Sequence, residues 1–187
     1  MMRSLRFFIL GTFLILLHFW GSAQHIPDLI NYKVSEYKAH NQNWAVSQSP
    51  DGWMYFANTD GLLVFNGNQW QKYVLPEHNI IRAVYCHRDR VYTGAYGAFG
   101  YWVRDACGHH IYTSLAHLVP NKLLDKEEVW HITSDGKDVY FQSFSVLLRY
   151  DGQAIHHVKL PGSIMFLQFV NGNKIIQCID SGLYEII

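Results

Sequence analysis

Cysteine is scarce in this chain: Cys86, Cys107 and Cys178 are three among 187 residues, too few and too odd in number for a disulfide scaffold. An excess of charge is lacking too. Fifteen Lys plus Arg stand against fifteen Asp plus Glu, with no basic or acidic run, which excludes a broad electrostatic grip on nucleic acid. Catalytic signatures are missing: there is no Gly-x-Ser-x-Gly elbow, no His-Glu-x-x-His and no phosphate-cradling glycine loop. What the chain has instead is 49% apolar residues and a heavy aromatic load of 12 Tyr, 11 Phe and 6 Trp. That mix is globular rather than disordered, and the glycine-punctuated aromatics favour β structure.

The first 23 residues read as an export address. Arg3 and Arg6 precede a mainly apolar run over residues 7–20, and Gly21-Ser22-Ala23 supplies small residues where a signal peptidase cuts. A membrane-spanning helix wants about 20 apolar residues, and this run is shorter. Cleavage after Ala23 is expected, leaving residues 24–187 as the mature domain. No second long apolar run follows.

The rest is repetitive. Short apolar runs at 44–47, 53–58, 62–65 and 70–74 are separated by Pro50-Asp51-Gly52, Asp60-Gly61 and Asn66-Gly67, which are turn and hairpin signals. The same unit returns at 81–86, 90–94, 99–104 and 110–114. It returns again at 129–134, 139–143, 146–150 and 154–159, and begins a fourth time at 165–170, 174–179 and 183–187. Val46, Val84, Ile132 and Phe169 match at offsets of 38, 48 and 37 residues. The long offset holds residues 115–128, an inserted loop or short helix. Four antiparallel strands per repeat of about 40 residues is the pattern of a β-propeller blade, because each small sheet needs a neighbour on its face. The expected fold is therefore all-β: three complete blades and a partial fourth, the N-terminal part of a larger propeller. A closed four-bladed ring, with residues 30–34 as the missing outer strand, is the competing arrangement, and a β-sandwich would not explain the repeat-level matching.

The run from Ser49-Pro50-Asp51-Gly52-Trp53 through Asn58-Thr59-Asp60-Gly61 to Phe65-Asn66-Gly67 resembles the two-component regulator propeller repeat. Asp135-Gly136 with Tyr150-Asp151-Gly152, and Asn171-Gly172 with Ser181-Gly182-Leu183-Tyr184, are similar. The second repeat departs, with His87-Arg88-Asp89 in place of the Asp-Gly turn. Asn41-Gln42-Asn43-Trp44 and the stretch Gly94-Ala95-Tyr96-Gly97-Ala98-Phe99-Gly100-Tyr101-Trp102 also resemble the N-termini of large sensor regulators of Gram-negative bacteria. The resemblance implies a periplasmic sensor, followed in such proteins by a triple-tyrosine β-sandwich, a transmembrane helix and a histidine kinase or helix-turn-helix output. It implies a ligand, self-association through the parent protein, membrane attachment only through a later helix, and no direct contact of this segment with nucleic acid.

Strand one of each blade lines a central channel, and the loops before strand one and between strands two and three crowd one face. Asn43, Trp44, Ile81, Arg82, Tyr96, Phe99, Trp130, His131 and Phe144 are expected there. Indole and phenol rings offer flat faces to a sugar ring, and Arg82 could fork onto a carboxylate. A small-molecule or oligosaccharide ligand fits this set. No cofactor, metal or catalytic constellation is called for. Cys107, His109 and His110 read as a solvated turn, Glu127-Glu128 as a solvated edge, and a Cys86–Cys107 bridge as a minor option. The remaining function classes are a sensor, a secreted propeller-fold polysaccharide hydrolase or lyase, and a non-catalytic interaction scaffold.

Overall fold

The computed structural model describes residues 28–119, 123–124 and 126–186. The chain divides into two compact units, Met1–Asn31 and Tyr32–Ile187. The expected signal peptide and its cleavage site lie outside the described residues. Of the first unit, residues 28–31 are exposed and carry no regular secondary structure.

The second unit opens with a single helical turn, α1 (Val34–Tyr37). The Lys33 amide donates to the Glu36 carboxylate at 2.5 Å, and the turn ends at Lys38 in the left-handed region, φ 51°. Fifteen strands follow among the described residues. The first blade is β1 (Asn43–Gln48), β2 (Met54–Asn58), β3 (Gly61–Phe65) and β4 (Trp70–Tyr73). The second is β5 (Ile81–His87), β6 (Arg90–Ala95), β7 (Phe99–Arg104) and β8 (His110–Ser114). The third is β9 (His131–Ser134), β10 (Val139–Gln142), β11 (Leu147–Tyr150) and β12 (Ile155–Val158). The fourth is β13 (Ile164–Val170), β14 (Asn173–Cys178) and β15 (Gly182–Ile186). Each sheet is antiparallel in sequence order, three of them four-stranded and the last three-stranded. Within 115–128 the one described helical element is a 3-10 turn, Ala116–Leu118. The closed four-strand alternative fails on the described residues: 28–33 form no strand, and Val34 starts a helix that lies against β4 instead of joining the fourth sheet.

Blades stack face to face. Tyr55, Ala57, Leu62 and Val64 of blade 1 meet Ile81, Val84, Val91 and Trp102 of blade 2. Tyr92 and Phe99 of blade 2 meet Val139, Phe141, Leu148 and Tyr150 of blade 3. Tyr140 and Leu147 of blade 3 meet Ile164, Leu167 and Ile176 of blade 4. The alternation along each strand sends successive side chains into successive seams, which is why a strand such as β10 is buried at every position. First strands are neighbours from blade to blade, β1 by β5, β5 by β9 and β9 by β13. Two glycines permit the close approaches that set the rim. A methyl group on Gly94 would overlap Val129, the residue that leads into blade 3, and one on Gly61 would overlap the Tyr73 backbone.

Candidate ligand site on the rim

The segments leading into each first strand converge with the hairpins between second and third strands. Asn58, wholly buried at the end of β2, holds the first of these segments. Its amide nitrogen donates to the His40 carbonyl at 2.7 Å, the Gln42 carbonyl at 3.0 Å and Asn43 Oδ1 at 2.8 Å. Gln142 at the end of β10 does the same for blade 4, donating to the Met165 carbonyl and accepting from the Leu167 amide.

Trp44 then stands 43% exposed, with its indole N–H donated to Thr59. The Arg82 guanidinium lies over this indole, 3.7 Å from the ring centroid, and Arg82 Nε donates to Glu128 Oε1 at 2.7 Å. Blades 1 and 2 and the segment leading into blade 3 therefore meet at one arginine. Tyr96, 53% exposed, is bridged through its backbone to Glu128, and its carbonyl accepts from Asn79. Glu127 is tied down as well: its carboxylate accepts from Ser143 at 2.5 Å and from Ser145, and its carbonyl accepts from the Gly97 amide.

Three residues after Glu127, Trp130 joins a second group of rings. It lies 5.1 Å from Phe144 and 5.4 Å edge-on to Phe166, with His131 alongside at 5.9 Å. Phe144 and Phe166 face solvent. Burial pushes His131 below the usual imidazole range, so its ring is neutral near pH 7. The Trp130 indole nitrogen and His131 Nε2 are buried with no protein partner among the described residues.

The structure thus brings Asn43, Trp44, Arg82, Tyr96, Trp130, His131 and Phe144 to this end of the blades. Phe99 does not belong with them. It is fully buried against Phe141 at 4.7 Å, and Ile81 is likewise core. Both sit beside the rim by sequence, but strand parity turns them into the seams. Glu127 and Glu128 are not a solvated edge; they are the acceptors that hold the rim together. Phe166 joins this group from blade 4, and no matching aromatic in the other repeats signals it. The His109-His110 pair is split by alternation: His109 is exposed, whereas His110 is buried in the seam of blades 1 and 2. All three cysteines are free, so no Cys86–Cys107 bridge is present. Among the described residues no three His, Cys, Asp or Glu side chains are grouped to hold a metal, and no helix is long and apolar enough to cross a membrane.

Neither a protein-family model nor a curated protein sequence matches the chain. Solved structures do. The extracellular domain of BT4673, a candidate one-component or hybrid two-component system protein of B. thetaiotaomicron, aligns with a TM-score of 0.59 at 14% identity, over 78% of this chain and 20% of its own. That of BT3049, a candidate hybrid two-component system protein of the same organism, aligns at 0.56 and 15%, over 82% and 22%. Virginiamycin B lyase from Staphylococcus aureus aligns at 0.56 and 16%, over 78% and 56%. The chain spans about a fifth of the length of the two extracellular domains. At these identities the likeness establishes the fold, a β-propeller arrangement of antiparallel blades.

Proposed function

We propose that this chain is ligand-sensing propeller structure from an extracytoplasmic receptor, the input side of a bacterial membrane-bound signal-transduction regulator, and that it binds without turning its ligand over. The observation that carries the reading is the Trp44–Arg82–Glu128 group. An arginine stacked on an exposed indole and anchored by one nitrogen is held still, yet it spends one of its five donors on Glu128. The Trp130–Phe144–Phe166 cluster, joined to it through residues 127–130, offers flat apolar faces beside it. Together they suit a ligand with ring faces and acceptor oxygens, the chemistry of an oligosaccharide. The likeness to the extracellular domains of two-component system proteins supports the sensor role. Export to the periplasm, anchoring by a helix elsewhere in the parent, an output module of kinase or helix-turn-helix type, and self-association belong to the same proposal. The carboxylates nearest the rings, Glu127 and Glu128, are both engaged in holding the rim, which argues against acid–base work there.

The test is titration calorimetry of the chain against a panel of neutral and acidic oligosaccharides. Trp44→Ala, Arg82→Ala and Trp130→Ala should each weaken binding, with Arg82→Ala costing roughly 1.5–3 kcal/mol if the lost bond is charge-assisted. Equal affinity in all three variants moves the site off this rim. Turnover of any glycan replaces the receptor reading with a secreted hydrolase or lyase, the class to which the virginiamycin B lyase likeness would then belong.

A further inference from the structure

The opposite end of the seam between blades 1 and 2 holds a second arginine built the same way. Arg104 lies over Trp53, 4.3 Å from the ring centroid, and is anchored by Asp51 at 2.5 Å, which also accepts from Ser49. Here the group opens on a cavity of about 360 Å³, within the size range of small-molecule pockets. His110 forms part of its wall. The residue is 6% exposed, its ring boxed by Trp53, Tyr55 and Tyr73 at centroid distances of 6.0, 5.5 and 5.1 Å.

The protonation of that histidine follows from its neighbours. Burial, with Arg104 adding to it, lowers His110 to about 4, so the ring is neutral near pH 7. Burial also pushes the Tyr55 hydroxyl up to about 12, so Tyr55 keeps its proton. Tyr55 and His110 Nε2 are 3.2 Å apart; in the tautomer where the phenol donates to Nε2, the ring proton sits on Nδ1. Nδ1 is buried and has no protein partner among the described residues. An N–H donor in that state calls for an acceptor, since an unmet buried donor is costly. The cavity wall carries Arg88, Arg90 and Arg104 against Asp51 and Asp89, an excess of one positive charge.

We propose that this cavity is a binding site for a small organic carboxylate, with one carboxylate oxygen accepting from His110 Nδ1–H and the other drawn toward Arg104. The site is separate from the rim and does not depend on the receptor reading. Its occupant would touch Asp51 and Tyr55 of blade 1 and Arg104 and His110 of blade 2.

Benzoate is the probe, titrated into the ¹⁵N-labelled chain at fixed ionic strength while NMR follows the His110 ring nitrogens and, for the variants, the backbone amides of Asp51, Tyr55, Val91 and Arg104 on the cavity wall. Saturable movement of the His110 Nδ1 signal is expected, at least tenfold weaker with benzamide, and unaffected by Arg82→Gln at the rim. His110→Phe keeps the ring volume and removes the donor, and Arg104→Gln removes the charge; each should weaken binding at least tenfold. The wild-type ring signal stands as its own readout if a variant does not fold. No shift of that signal with benzoate, an equal shift with benzamide or with chloride, or full binding by His110→Phe each overturns the proposal.

Discussion

The outer faces of blades 1 and 4 are built from the same repeat and end differently. On blade 1, Phe56, Leu63, Phe65 and Trp70 share the face turned away from blade 2. Tyr32 packs on Phe65 at 5.1 Å and on Trp70 at 5.3 Å, with Tyr37 on Trp70 at 5.7 Å, and Leu63 is left 1% exposed. On blade 4 the corresponding face carries Phe166, Ile175 and Leu183, with Phe166 at 42% and Leu183 at 73% exposure. The strand repeat therefore specifies a blade with two apolar faces, while what covers an end comes from a segment outside the repeat. The cover on blade 1 adds apolar burial to that blade.

Graded substitutions turn this into measurements of unfolding by denaturant. Phe141→Ala, in the fully enclosed seam of blades 2 and 3, sets the upper mark with a loss of about 3–5 kcal/mol. The 1–2 seam adds a pH dependence. Folded His110 protonates near pH 4 and the unfolded residue near pH 6.5, so the unfolded state binds more protons between those values. Stability from this residue is fully present above that window and falls on acidification through it, at up to about 1.4 kcal/mol per pH unit. His110→Phe should flatten that slope, and an unchanged slope would remove His110 as its source. Trp70→Ala, under the cap of blade 1, should cost about 2 kcal/mol, less than an enclosed aromatic because the site is only partly buried. Leu183→Ser on blade 4 should stay within about 0.5 kcal/mol. Equal costs at Trp70 and Leu183 would erase the distinction between the ends. A smaller effect sharpens it: Phe166→Glu with Leu183→Lys should lower any self-association seen by sedimentation.

The same contrast explains what could be read from the residues. Period-two alternation and the Asn/Asp-Gly hairpins put nearly every strand within a residue or two of its place, because both signals are local. Residues 30–34, the outer strand of the competing closed ring, lead instead into a turn lying on β4, which the Lys33–Glu36 reach-back and the contacts of Tyr32 and Tyr37 hold and no repeat pattern signals. At the rim, Trp44, Arg82 and Trp130 were legible from their position at or just before first strands. Phe99 was not, since facing depends on strand parity and on the register of the sheet. Glu127 and Glu128 lie in the non-repeating segment, where no matching blade gives a clue. His110 needed alternation applied from β8 inward.

The receptor account stands most directly on where a ligand touches the blades. Hydrogen–deuterium exchange of the chain, with and without the oligosaccharide that binds best in the calorimetric panel, reads this in one experiment. The account predicts slowed exchange at residues 42–46, 79–83, 96–98, 127–131 and 143–145, the segments that meet around Arg82 and Trp130. Slowed exchange confined to the opposite hairpins at 49–53, 87–90 and 135–138, with the rim unchanged, would contradict it.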